Sequence, residues 1–180
     1  GCRYRNAGEK PYEDVDLIRS LTVSSDVYYY RIGESIYINP EHPDTAIQDA
    51  AGSYGLGLET GITLPFEQDG YLPTPRNRRQ RHEANPVAFP EWGWSTGDNV
   101  ITAIGQGEVL VTPLQLGNAF ATFANDGVRY APNVVARIVD RNGTVVREFG
   151  PRELSTVDID DGFRRRVLNG LAGVTAHEEG

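Results

Sequence analysis

One cysteine, one lysine and three histidines are a thin supply of the side chains that most often bind metals or serve as soft nucleophiles and amine bases. Cys2 alone gives neither an internal disulfide nor a cysteine-based metal framework. His42, His82 and His177 are scattered, whereas a zinc site needs three or four converging ligands. No metal and no cofactor is expected. Lys10 is the only lysine available as a general base. Long hydrophobic runs are missing too. The longest, such as that around Val109–Val111, span a few residues, far short of the roughly 20 that a membrane-crossing helix needs. No basic-then-apolar leader opens the chain. Basic charge is in deficit: 17 Lys and Arg against 25 Asp and Glu give a net charge of −8. Nucleic-acid binders carry a basic face. The short patch Arg76–Arg81 does not outweigh the acidic whole, so nucleic acid is not expected as a partner.

What is present suits one domain. The chain has 180 residues, 39% of them hydrophobic, and at roughly 150 residues a chain already buries about 68–70% of its unfolded surface. Residues 1–12 read as a loop. Asp14 or Asp16 can cap a helix carrying Leu17, Ile18 and Leu21, and a second helix is expected through Val27, Tyr28, Tyr30, Ile32 and Ile36. The break falls at Thr22–Asp26, where Ser and Asp side chains compete for backbone groups. Thr45–Tyr54 reads as a short amphipathic helix stopped by Gly55. Residues 55–97 are rich in Gly and Pro and read as irregular, with Arg76–Pro90 an exposed excursion. Such long irregular stretches are usually functional or mobile. Thr112-Pro113-Leu114-Gln115 predicts a helix start, with Thr112 at the N-cap, Pro113 at the first helical position and Gln115 closing a capping box. The apolar face expected there is Leu116, Ala119, Phe120, Phe123 and Ala124, ending at Asn125-Asp126-Gly127. Asn142-Gly143 between Val134–Asp140 and Thr144–Phe149 predicts a β-hairpin. Asp160 or Asp161 can cap a last helix with Phe163, Val167, Leu168 and Leu171. Composition and pattern alone reach an α+β domain.

Single motifs are ambiguous. Ser24-Ser25-Asp26 between two helical segments reads first as a helix cap, and Tyr28-Tyr29-Tyr30 first as core. The glycines of Gly55–Gly61 lack the Gly-Lys-Ser/Thr ending and the strand–loop–helix setting of a phosphate loop. Gly105-Gln106-Gly107 reads as a tight backbone approach, and Asn142-Gly143-Thr144 as a turn before a glycosylation site.

In order and together, the motifs resemble one family, the transpeptidase domain of class B penicillin-binding proteins, nearest to the elongation-type penicillin-binding protein 2. The matching stretches are Leu21–Tyr30, Tyr54–Ile62, Leu64-Pro65-Phe66-Glu67 with Gly70 and Pro73, and Trp94 with Gly97-Asp98. They continue through Ala103–Gly107, Val111–Leu116 and Ala124–Gly127, and the resemblance runs from about residue 13 to residue 175.

The resemblance implies an α+β serine-acyltransferase fold shared with class A β-lactamases. The chain would be its central part, mostly the helical portion plus a β-hairpin. The family signature has three parts, Ser-x-x-Lys, Ser-x-Asn or Ser-x-Asp, and Lys-Ser/Thr-Gly. Only the second occurs here, as Ser24-Ser25-Asp26. The whole of 1–180 is therefore expected to be a partial transpeptidase domain, with the first motif upstream and the third downstream. The isolated chain is expected to be inactive.

The implied parent activity is peptidoglycan D,D-transpeptidation. A serine attacks the penultimate D-Ala carbonyl of a D-Ala-D-Ala stem peptide, and a neighbouring peptide's amine resolves the acyl-enzyme into a cross-link. β-Lactams would be its inhibitors. Implied partners are the stem peptides, a cell-elongation glycosyltransferase and membrane proteins. The implied location is the extracytoplasmic face of the bacterial membrane, with an anchoring N-terminal helix outside this chain. By resemblance the catalytic residues here are Ser24, relaying a proton between base and leaving nitrogen, and Asp26, orienting the lysine of the first motif. Asp26 stands where related enzymes hold Asn, and a carboxylate accepts but cannot donate unless protonated. Ser25 is expected to be structural. Two other readings share these residues: a non-catalytic or β-lactam-sensing relative, and a carboxypeptidase or β-lactamase of the same fold.

Overall fold

A computed structural model describes residues 3–176; Cys2 and His177 lie outside the described residues. Two compact units divide the chain. The first takes the described residues up to Asp49, Pro73–Val109 and those from Ile159 onward; the second takes Ala50–Leu72 and Leu110–Asp158.

In the first unit a 3-10 turn at Ala7–Glu9 precedes helices α1 (Leu17–Thr22) and α2 (Asp26–Ile38). Asp16 caps α1, its side chain accepting from the Arg19 N–H at 2.8 Å. The helix pair and the break between them fall where the sequence placed them. α3 (Ala46–Ser53) follows, its residues divided between the two units after Asp49, and Gly55 ends it at φ +87°. The expected excursion at Arg76–Pro90 is instead largely helical: α4 spans Pro75–Ala84. It has no apolar stripe to betray it. A capping box between Thr74 and Asn77, with Pro75 opening the helix, starts it. Arg78 then holds it against α5 (Thr96–Thr102), bonding Asp98 at 2.6 Å with its guanidinium 4.8 Å from the Trp94 ring centroid. Burial pushes the Asp98 carboxyl up, but the Ser95 hydroxyl and Arg78 outweigh it, so Asp98 titrates below the usual carboxylate range.

α7 (Asp161–Ala176) begins at Asp160, which accepts from the Phe163 N–H at 2.7 Å. It packs on α1 through Gly170. A Cβ there would lie 2.8 Å from Leu21 Cβ and 2.9 Å from the Ile18 carbonyl. The Thr22 hydroxyl donates to the Gly170 carbonyl across the contact at 3.2 Å. Of the apolar residues expected on this helix, Phe163 is 48% exposed. Asn99, buried on α5, donates to the Gly33 carbonyl of α2 at 2.9 Å.

The second unit is built around α6 (Pro113–Ala124). Its start is as expected: Thr112 accepts from the Gln115 N–H, and the Gln115 side chain accepts from the Thr112 N–H. Its buried face is not as expected. Gln115 and Thr122 are each 1% exposed, whereas Phe120 is 53% exposed. The Gln115 amide also donates to the Leu58 carbonyl at 2.7 Å, so this polar side chain bonds on both sides and can be buried. β1 (Val128–Tyr130) pairs antiparallel with β4 (Glu153–Thr156), a ladder the sequence did not suggest. β2 (Arg137–Val139) and β3 (Val145–Glu148) form the expected hairpin, with Gly143 in its turn. Glu67 ties down the loop before it. One carboxylate oxygen accepts from the Thr60 N–H at 2.7 Å and from the Thr60 hydroxyl, and the other accepts from the Gly61 N–H at 3.2 Å.

Candidate active site

The Ser-Ser-Asp triplet forms the turn from α1 into α2. α1 ends in two reverse bonds, Ser24 N–H to the Leu21 carbonyl at 3.3 Å and Ser25 N–H to the Ser20 carbonyl at 2.9 Å. This is the Schellman pattern, which places the residue after the C-cap in the left-handed region. Ser24 is that residue, at φ +53°. The same two bonds end α3, where Gly55 takes the position at φ +87°, and α5, where Gly105 takes it at φ +68°. Only glycine escapes the Cβ clash that left-handed backbone imposes. At the α1 end that position is held by a serine.

Ser24 is exposed, and among the described residues its hydroxyl makes no hydrogen bond. Ser25 is 2% exposed. Its hydroxyl accepts from the Tyr28 N–H at 3.4 Å and donates to Asn6 Oδ1 at 3.3 Å. It is thus the N-cap of α2, the structural member the sequence expected. Asp26 is the first residue of α2, where a carboxylate meets the positive end of the helix. Its Oδ2 accepts from the Ala7 N–H at 3.3 Å. Ser24 and Asp26 are brought to the same turn but do not bond to each other.

Two supports of this turn carried no signal in the sequence. Asn6 Oδ1 also accepts from the Val27 N–H at 3.0 Å, and its amide donates to the Lys10 carbonyl at 3.0 Å. Ser20, fully buried, donates to the Leu17 carbonyl at 2.8 Å and lies 3.1 Å from the Tyr29 hydroxyl. Burial pushes the Tyr29 phenol up, Ser20 partly opposing it. Burial also raises Tyr30, and the Asp26 carboxylate nearby adds to the rise. The tyrosine run is half-buried; Tyr28 and Tyr29 meet edge to face at 5.3 Å.

A cleft of about 470 Å³ opens beside the turn, between α2 and the strap around Tyr12–Val15. Asn6, Ser25 and Val27 line it; Ser24 does not. Among the described residues no group of three or more His, Cys, Asp or Glu could hold a metal ion, and no helix is long and apolar enough to cross a membrane. Chemically, the turn offers one free hydroxyl on a left-handed backbone residue, with a carboxylate two residues on. That suits proton relay and orientation of a cation, but contains no nucleophile–base pair.

The family model described as the penicillin binding protein transpeptidase domain matches residues 3–180. The chain is 28% identical over 178 residues to the peptidoglycan D,D-transpeptidase MrdA of Escherichia coli K12, covering 99% of this chain and 26% of that protein. Among solved structures, penicillin-binding protein 2B of Streptococcus pneumoniae R6 superposes with a TM-score of 0.68 at 26% identity, over 91% of this chain and 26% of that one. A chain from a peptidoglycan synthase complex, solved for the coordination of polymerization and crosslinking, gives 0.72 at 26% identity, over 97% of this chain and 26% of that one. The chain thus spans about a quarter of the length of the curated relatives it matches.

Proposed function

The chain belongs to the penicillin binding protein transpeptidase family, and from that premise we propose that its parent protein is a peptidoglycan D,D-transpeptidase and a target of β-lactams. The nucleophilic serine and its lysine would be supplied by a Ser-x-x-Lys segment of the parent, and the Lys-Ser/Thr-Gly strand by another; none of the 180 residues here forms either motif. 1–180 would then be the part of the domain that brings Ser24 and Asp26 to that pair. The parent would act at the extracytoplasmic face of the bacterial membrane, on D-Ala-D-Ala stem peptides. It would work beside a cell-elongation glycosyltransferase and membrane partners.

In this reading the lysine takes the nucleophile's proton as the serine attacks the penultimate D-Ala carbonyl. The Ser24 hydroxyl passes a proton on to the departing D-Ala nitrogen. A relay needs a group that donates and accepts at once, as a hydroxyl does. Asp26, acceptor only, holds the lysine through a charge-assisted bond.

The observation that carries the proposal is the Ser24 backbone. A solvent-exposed serine sits in a conformation that suits glycine: the ends of α3 and α5 use glycine there, and the end of α6 uses Asp126 at φ +52°. Strained residues held by their surroundings cluster at active sites. The test is Ser24→Ala in the parent, followed by stopped-flow acylation with a chromogenic β-lactam. Acylation should slow by roughly a hundredfold, the usual size of a lost proton-transfer step. Equal rates would return the triplet to a helix cap. A parent that forms the adduct but never cross-links stem peptides would instead be a β-lactam-sensing relative.

A further inference from the structure

We infer that Asn6 is a positioning residue for Ser24, locking the turn on which the proposed proton relay depends; the inference rests on the reading of Ser24 given above. α2 begins with backbone N–H groups that have no partner inside the helix. Ser25 takes one of them, at Tyr28. The next, at Val27, is taken by Asn6 Oδ1 from 21 residues upstream. The same oxygen accepts the Ser25 hydroxyl, so the local cap and the distant one share an atom. The Asn6 amide nitrogen is in turn fixed by the Lys10 carbonyl, and the neighbouring Ala7 N–H binds Asp26. Residues 6 and 7 therefore grip the turn at Ser25, Asp26 and Val27, on the α2 side of Ser24.

Ser24 needs such a grip. Its left-handed backbone is uphill for any residue with a Cβ, and persists only where the structure over-determines it. The α1 side is fixed by the two reverse bonds to Leu21 and Ser20. The α2 side is fixed by Ser25, Asn6 and Ala7. Without Asn6 Oδ1 the Val27 N–H loses its acceptor and the Ser25 hydroxyl its second partner. The turn can then relax toward ordinary backbone, and the Ser24 hydroxyl moves away from the reacting atoms. Positioning errors of about an ångström already cost rate.

The test uses the parent protein, measuring β-lactam acylation rate and denaturant midpoint for wild type, Asn6→Ala, Asn6→Asp, Ser24→Ala and the Asn6→Ala/Ser24→Ala double variant. Asn6→Ala should acylate roughly tenfold more slowly, the rate equivalent of one lost hydrogen bond. Asn6→Asp keeps the accepting oxygen but loses the bond to the Lys10 carbonyl, and should fall between wild type and Asn6→Ala. The double variant should be no slower than Ser24→Ala alone, because Asn6 acts through Ser24. If Ser24→Ala is slow but Asn6→Ala is not, the inference falls and the relay reading stands. Losses that multiply in the double variant give Asn6 a merely structural role and also overturn it. If Ser24→Ala runs at the wild-type rate, the relay reading fails and the inference with it. Should Asn6→Ala not fold, Asn6→Gln moves the oxygen by one methylene and is read in the same way: slowed acylation supports the positioning role, and a wild-type rate overturns it.

Discussion

A side chain bearing Cβ in the left-handed region costs about 1–2 kcal/mol, and at Ser24 nothing within the described residues repays it through the hydroxyl. Ser24→Gly should therefore stabilise the parent's folded domain by about 1 kcal/mol while abolishing the relay. The check is a raised denaturant midpoint together with slowed acylation; a lowered midpoint would mean that the serine is there for the fold. Asp26 gives the second prediction at this scale. A carboxylate beside a lysine favours the charged ammonium and raises the lysine's pKa. Asp26→Asn retains an acceptor for the Ala7 N–H but removes the charge. The acid limb of the acylation profile should then move to lower pH, as the base loses its proton more readily. A profile that slows without moving would leave Asp26 as an acceptor at a helix start. The triplet's place between two helices was legible in the sequence, but the left-handed backbone at Ser24 was not. Ser24 lies between two bonds to the end of α1 and the bonds that Asn6 and Ala7 make to Ser25, Asp26 and Val27, none of which a three-letter motif encodes.

Elements that announce themselves by their own ends were legible, and elements made by remote partners were not. α6 starts at Thr112-Pro113-Leu114-Gln115 because those four residues complete a capping box locally. The β2–β3 turn forms because Asn142-Gly143 accommodates it. α4 has capping chemistry at Thr74 and Asn77 but no apolar stripe, and its arginines are held by Asp98 and Glu108 far along the chain. β1 and β4 are three and four residues long and meet only after an intervening hairpin. The buried face of α6 was misjudged for a similar reason. Gln115 is buried because Leu58 offers a carbonyl to it, while Phe120 finds no such cover. The loop tied by Glu67 yields the prediction for this scale. Burial pushes that carboxyl up, but the Thr60 hydroxyl and the N–H groups of Thr60, Gly61 and Ile62 prevail, so its folded pKa lies below the ordinary 4.5. A depressed folded pKa gives stability that is complete above the unfolded value and is lost as pH falls through the folded one. The stability difference between wild type and Glu67→Gln should thus be full near neutrality and shrink below about pH 4.5. Unfolding midpoints of the parent from pH 7 to pH 3 measure it, and a difference that grows on acidification would contradict the clamp.

Whether the activity resides in these 180 residues is a question for the whole chain. Among the described residues the buried polar ones include Ser20, Ser25, Gln48, Asn99 and Gln115, whereas the buried hydrophobic ones are Val23, Val100 and Ala131. Large apolar side chains remain exposed on α6, on α7 and on both strands of the β2–β3 hairpin. Exposed apolar area of that kind ordinarily marks an interaction surface. The chain spans 26% of the length of its Escherichia coli relative. On the proposed reading its chemistry is partial in the same sense as its core: a relay hydroxyl and an orienting carboxylate, without the serine they would serve. A β-lactam can be bound covalently only where a nucleophile is activated by an adjacent base. Lys10, the one lysine, is preceded at −3 by Ala7 rather than by a serine. The 180-residue chain on its own should therefore give no band with fluorescent penicillin on a denaturing gel, while the parent gives one that unlabelled β-lactam competes away. A saturable, competable band on the short chain would locate a nucleophile within it. Ser24, the exposed serine at the strained turn, would then be the first residue to replace, and its role would change from relay to nucleophile.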